Sequence, residues 1–126
     1  MVESNSGRDI ITSFETRSVF MDVLKKNPGL LIVKFGADWC VPCSTIKDYV
    51  HKKFAEMPDN VLCADIDVEE SFDLFAFLKQ KKMVKGIPAM LAYVSGNHSY
   101  PPDESISGTD EKELDDFFNR CLQRLK

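Results

Sequence analysis

Two cysteines three positions apart, Cys40 and Cys43, lie in the stretch FGADWCVPCS from Phe35 to Ser44. The spacing admits three readings: a redox couple, half of a metal site, or two unconnected cysteines at a helix start. The residues from Val41 to Phe54 read as a helix with Pro42 in its first turn, where proline's missing N–H costs nothing. Cys40 then stands where unpaired backbone N–H groups and the positive end of the helix dipole converge. Both favour thiolate over thiol, so its pKa is expected below the ~8.5 of a free cysteine. Cys43, one turn further on, is within bridging distance. Val41 shields the pair and Pro42 stiffens the link. The chemistry this allows is dithiol–disulfide exchange. Cys40 attacks a substrate disulfide to form a mixed disulfide; Cys43 then attacks the Cys40 sulfur, releasing the substrate as a thiol and leaving the pair oxidised.

A structural zinc site would need four ligands, usually from a second Cys-x-x-Cys or a spaced pair of histidines. The two histidines, His51 and His98, form no such motif, and Cys63 and Cys121 are scattered singly. The ligand count therefore weighs against metal, and the isolated cysteines read as small hydrophobes of the interior. A chain of 126 residues with 44% apolar content is long enough for one domain with its own core. It has no need of disulfide staples, which places it in a reducing, cytoplasmic setting. A net charge of −4 argues against a nucleic-acid partner. No apolar run approaches the ~20 residues of a membrane-spanning helix. The opening residues MVESNSGRD carry no apolar core of a secretory signal.

The elements that must hold the cysteine pair are read from periodicity. Residues 1–9 are polar and expected to be flexible, leaving a single domain over 10–126. IIT (Ile10–Thr12) reads as a short strand. A helix over Glu15–Lys26 carries Val19, Phe20, Val23 and Leu24 at helical spacing and stops at Asn27–Pro28–Gly29. LLIVKF (Leu30–Phe35) is the nearly continuous apolar run of a strand buried on both faces. VLCADIDV (Val61–Val68) is a second, followed by the helix FDLFAFLK (Phe72–Lys79), whose Phe72, Phe75 and Phe77 are expected in the core. A strand over Val84–Val94 opens with Ile87–Pro88, a position where proline is tolerated only at a strand start or edge. A turn at Ser95–Asn97 and a long connection through Pro101–Glu104 lead to a short strand at Ser105–Ser107. The last helix has Leu114, Phe117, Phe118, Cys121, Leu122 and Leu125 in one stripe, with Asp110 and Glu113 suited to a capped start. The order β-α-β-α-β-α-β-β-α is of the α/β class, a central mixed sheet with helices on both faces.

With DWCVPC after a buried strand and GIPA at Gly86–Ala89, the chain resembles the thioredoxin family from Ile10 to Leu125. The resemblance implies the thioredoxin fold. Position by position, Cys40 matches the exposed nucleophile, Cys43 the buried resolving cysteine, and Trp39 the flanking aromatic. Pro88 matches the proline that the family keeps in cis beside the disulfide, so a cis Ile87–Pro88 bond is expected. The Ile87 backbone would pair with an extended segment of substrate. Gly86, Ile66 and Gly108 fall where the family's apolar substrate groove lies, with Trp39, Val41, Pro42 and Pro88 as its walls. For Ile66, plain core packing is an equal reading.

The chain departs from the family pattern in four places. Val-Pro replaces the usual Gly-Pro between the cysteines, and such a change tunes the balance of dithiol and disulfide, tenfold for about 30 mV. Lys34 stands where the family usually has a buried aspartate, and Cys63 where a partner lysine is expected. The favoured reading of Lys34 is that its stem carries the ammonium out to water at the strand end, because an unpaired buried charge is costly. The competing reading is a buried lysine that assists Cys43, as a base or by stabilising its thiolate. Asp48 replaces the proline that often kinks the site helix, which predicts a straighter helix.

The resemblance implies a protein-disulfide reductase that acts through a Cys40–Cys43 redox disulfide and needs no bound metal or organic cofactor. Its partners would be disulfide-containing proteins and a thioredoxin reductase or other dithiol donor, and it would act as a monomer. Two alternatives remain beside it: a dedicated oxidoreductase for one partner, and a non-catalytic binding module that uses the same groove.

Overall fold

The computed structural model describes residues 2–5, as backbone, and 8–125. Strand β1 (Val2–Asn5) pairs antiparallel with β2 (Arg8–Ile11). Helix α1 (Arg17–Lys25), strand β3 (Leu30–Gly36), helices α2 (Val41–Thr45) and α3 (Lys47–Ala55), and strand β4 (Val61–Asp67) follow. The chain ends with α4 (Phe72–Gln80), β5 (Ala89–Val94), β6 (Glu104–Ser107) and α5 (Glu111–Gln123). One six-stranded sheet runs in the order β1-β2-β4-β3-β5-β6. β2, β4 and β3 are parallel, whereas β5 runs antiparallel to β3 and β6 to β5.

β3 is the centre of the molecule. All seven of its residues are buried, as its continuous apolar run requires of a strand covered on both faces. Alternation sends Leu30 and Ile32 to one face, under α3 and α5, and Leu31, Val33 and Phe35 to the other, under α1 and α4. The α5 stripe (Leu114, Phe117, Phe118 and Cys121) fills the first layer. Phe14, Phe20, Leu74 and Leu78 fill the second. Each fully buried side chain of this size contributes about 1.5–3 kcal/mol of transfer free energy, so two such layers hold the sheet rigid at its centre. The α5 start is capped as the sequence predicts, with the Glu113 N–H donating to Asp110 Oδ1 at 3.0 Å.

Four expectations change. The described residues of the segment expected to be flexible, 2–5 and 8–9, are strand. The side chain of Arg8 ties this hairpin down, donating to the carbonyls of Val61 (2.6 Å), Pro58 (3.1 Å) and Met57. The single, straighter helix over Val41–Phe54 is two helices, broken at Ile46. No proline is needed for the break. The Ser44 hydroxyl donates to the Val41 carbonyl at 2.8 Å and the Thr45 hydroxyl to the Pro42 carbonyl at 2.7 Å. Such back-bonding competes with the helical ladder and bends it. Phe72 lies outside the core, 68% exposed, while Phe75 and Phe77 pack against the α1/α4 layer. Finally, the strand expected from Val84 starts only at Ala89.

The connection between β5 and β6 is a built structure. Tyr100 stacks on Phe20, its ring centroid 6.1 Å away, and lies 4.7 Å from that of Phe77. The Tyr93 hydroxyl donates to the Tyr100 carbonyl at 2.8 Å. Asp103 accepts from the Val94 N–H and from Asn97 Nδ2.

Candidate active site

Cys40 follows the carboxyl end of β3 and is the N-cap of α2, its Sγ accepting from the Cys43 N–H at 3.3 Å. A disulfide joins the two cysteines, with their Cα atoms 5.3 Å apart. The helix expected to polarise Cys40 is thus only five residues long. That changes little, because the dipole's effect resides in the unpaired N–H groups of the first turn, and here one of them is aimed at the sulfur. An N–H donating to sulfur stabilises the thiolate that must attack.

The position of Cys40 differs from the exposed nucleophile expected. In the disulfide form it is 6% exposed and Cys43 is 4% exposed. Their neighbours take the surface instead: Trp39 is 66% and Val41 72% exposed. Trp39 is held over the turn after β4 by its indole N–H, which donates to Glu69 Oε1 at 2.6 Å.

The other residues expected to form a groove gather at the same end of the sheet. Ala89 pairs with Phe35 across β3 and β5, which brings Pro88 level with Gly36 and the approach to Cys40. The Ile87–Pro88 peptide bond is cis. Gly108 donates its N–H to the Pro88 carbonyl at 3.0 Å, and its φ of +97° is one that glycine adopts without strain. Gly86 and Ile87 are half-buried beside it. Ile66 is buried in the α1/α4 layer, although part of it lines the cavity described next.

Lys34 does not reach water. Its side chain is 5% exposed and its Nζ lies 3.3 Å from Asp65 Oδ1. The other carboxylate oxygen, Oδ2, is 2.7 Å from His51 Nε2 on α3. The ion pair removes the objection to burying the ammonium, since a buried charge is tolerated when it is paired. Lys34 and Asp65 are register partners in the parallel ladder, so their side chains leave the sheet on the same face. Lys34 Nζ and Cys43 Sγ both come within 4 Å of the point where a side chain on Gly36 would begin, at 3.8 and 3.4 Å. A cavity of about 400 Å³ is lined by Lys34, Asp65 and Cys43 together, and it includes Thr12, Asp38 and Lys47 at its margin. Asp65 and His51 join the site although neither stands in a motif. The one signal for Asp65 is an aspartate inside the apolar run VLCADIDV, two positions after Cys63 and so on the same face.

Cys63 and Cys121 lie fully inside the layer under α3 and α5. Burial pushes each thiol up to about 12. Neither is a nucleophile in this state.

Comparison with known proteins agrees with this geometry. Residues 11–120 match the Thioredoxin family model. Thioredoxin of Bos taurus is 31% identical over 114 residues, covering 90% of this chain and all of that protein. Thioredoxin 3 of Plasmodium falciparum is 28% identical over 97 residues; the match takes in 76% of this chain and only about half (51%) of that longer protein. Among solved structures, Trichomonas vaginalis thioredoxin superposes with a TM-score of 0.68 at 22% identity, covering 93% of this chain and 98% of that one. A mutant thioredoxin from Halobacterium salinarum gives 0.69 at 20% identity, covering 98% and 96%. No helix among the described residues is long and apolar enough to cross a membrane. With a capped, disulfide-forming Cys40–Cys43 pair at the end of its central strand, the chain belongs to the thioredoxin family of thiol-disulfide oxidoreductases.

Proposed function

We propose that the protein is a general protein-disulfide reductase, working as a monomer in the reducing cytoplasm and recharged by a thioredoxin reductase or similar dithiol donor. The observation that carries the reading is the Cys43 N–H donating to Cys40 Sγ within a bonded pair. It supports Cys40 as nucleophile and Cys43 as resolving cysteine. The exposed faces of Trp39, Val41 and Pro42, with Gly86, Ile87, Pro88 and Gly108 opposite, form the walls along which an extended substrate segment lies. The backbone of Ile87 supplies its hydrogen bonds. Ile66 contributes from the floor. Lys34 acts electrostatically on Cys43 through its place in the shared cavity. The test is insulin disulfide reduction under dithiothreitol, wild type beside Cys40→Ser. Catalysis that vanishes in the variant supports a general reductase. Inactivity of a folded wild type replaces it with a dedicated partner or a binding role, to be sought by trapping mixed disulfides on Cys43→Ser.

A further inference from the structure

Resolution of the mixed disulfide needs Cys43 as a thiolate, and Cys43 is buried. A buried thiol must hand its proton to a group within reach, because desolvation disfavours the free ion. The titratable side chains that face this place are few. Lys34 comes from β3, Asp65 from β4 and His51 from α3. Lys47, Asp38, Asp67 and Glu70 stand around the cavity wall.

Lys34 is poorly suited to accept. As an ammonium it carries three donors and no acceptor, and it already meets Asp65 Oδ1 at 3.3 Å. Asp65 is the opposite case: an acceptor with two oxygens, one facing Lys34 and one facing His51, and with lone pairs left over. It shares the cavity with Cys43. That cavity, at about 400 Å³, is far larger than the ~30 Å³ share of one water, and it is polar enough to hold several. Thr12 lines it too. A cavity of this size with both groups in its lining makes a bridging chain of water between the thiol and the carboxylate chemically sound.

Building on the disulfide-reductase reading, we infer that Asp65 takes the proton of Cys43 during resolution, through water in this cavity, while Lys34 and His51 hold its carboxylate in place. The step balances. The Cys43 S–H proton passes to the Asp65 carboxylate. The Cys43 thiolate forms a bond to Cys40 Sγ, and the bond from Cys40 to the substrate sulfur breaks. The substrate sulfur leaves with the electron pair, and Asp65 later returns its proton to solvent or to that thiolate. The dithiol is oxidised by two electrons and the substrate disulfide is reduced by the same two. Asp65 thus stands in the proton path, and Lys34 and His51 are positioning residues.

The test separates attack from resolution with a chromogenic aryl disulfide in stopped flow. The reduced protein releases one aryl thiolate when Cys40 attacks and a second when Cys43 resolves. In Asp65→Asn the second phase is expected to slow by about 100-fold or more at neutral pH, the scale of a lost general base. It should then rise tenfold per pH unit as hydroxide takes over, while the first phase stays unchanged. Lys34→Gln should slow or shift the second phase, because the carboxylate loses the ammonium that holds it, without making that phase rise tenfold per pH unit, because the carboxylate is still there to accept the proton. A folded Asp65→Asn whose second phase follows the wild-type profile overturns the assignment. So does a hydroxide-dependent second phase in Lys34→Gln with Asp65 intact, which holds the test open even where the asparagine variant does not fold. Wild type that releases only one equivalent overturns the disulfide-reductase reading itself, and that outcome is distinct from both.

Discussion

Lys34 on β3 and Asp65 on β4 are opposite each other in the parallel ladder, and their side chains meet at 3.3 Å on the sheet face that α3 covers. The pair is a charge set into an apolar layer, flanked on its own strand by Ile32 and on the neighbouring one by Cys63. The carboxylate's other oxygen meets His51 Nε2 at 2.7 Å.

Removing one member alone should therefore be worse than removing both. Lys34→Met leaves a carboxylate facing an apolar stem. It should cost about 2 kcal/mol, less than the 3–5 of a fully buried pair because Asp65 keeps His51 and some water. Lys34→Met with Asp65→Leu should cost clearly less than the sum of the two single variants. Urea unfolding of the oxidised protein measures all three, and strict additivity would mean that the two side chains are energetically independent.

How much of this is legible in the sequence follows from how far each signal travels along the chain. Cys40, Cys43 and Pro88 are local signals: a spacing, a proline in a first turn, a proline at a strand start. The order of elements from Ile10 onward is carried by periodicity, because each apolar run here has one face or two and a turn residue at its end. Lys34 is different. Alternation puts it on the Ile32 face, but whether it is paired depends on Asp65, 31 positions away. A shift of one residue in the β3–β4 register would turn Asp65 to the other face. The break at Ile46 is hidden because no proline marks it; Ser44 and Thr45 carry the bend in their hydroxyls, which propensity alone does not reveal. The N-terminal hairpin is hidden because its anchor is a side chain, Arg8, bonded to carbonyls about fifty residues on.

The two unpaired cysteines should be silent to alkylation while the protein is folded. Burial raises both thiols to about 12, so at pH 8 only about one molecule in ten thousand carries either thiolate, before access is considered. After reduction, iodoacetamide at pH 8 followed by mass spectrometry should place the label on Cys40 first and leave Cys63 and Cys121 unmodified. Both should react once urea is added. Labelling of Cys121 in the native protein would show that α5 opens.

Glu104 ties β6 to α5 by accepting from Arg120 Nε and Arg124 Nε, each at 2.8 Å. The hydrogen bond from Arg120, with that from Arg124 behind it, holds the Glu104 carboxyl below its usual range against the opposing effect of burial. A depressed folded value means stability that is fully present above the unfolded value of ~4.3 and lost as pH falls through the folded one. Glu104→Gln should thus lower stability near pH 7 by about 0.5–1 kcal/mol, a modest figure because both arginines are exposed enough for solvent to screen the pairs. The gap between variant and wild type should close as pH drops below about 4. Thermal melts across pH 3–7 read this directly, and a gap that persists at low pH would assign the effect to packing.

Tyr100 docks the long β5–β6 connection onto the α1/α4 layer, far along the sheet from the cysteine pair. Its ring stacks on Phe20 at an interplanar angle of 17° and lies 4.7 Å from Phe77, which also carries the Arg17 guanidinium 4.6 Å from its centroid. The backbone of Tyr100 is separately held by the Tyr93 hydroxyl. Truncation to alanine removes the ring but keeps that hydrogen bond, so the loss should be the aromatic contacts and the area they cover, about 2 kcal/mol. Tyr100→Phe should cost little, because the cluster of rings rather than the phenol oxygen holds the loop. Neither change touches β3, α2 or Pro88, so both variants should reduce insulin at the wild-type rate. Equilibrium unfolding of Tyr100→Ala and Tyr100→Phe, with that activity measured beside it, tests the division. If Tyr100→Ala keeps full stability, the connection does not depend on its ring. If it loses reductase activity while folded, the loop takes part in binding substrate.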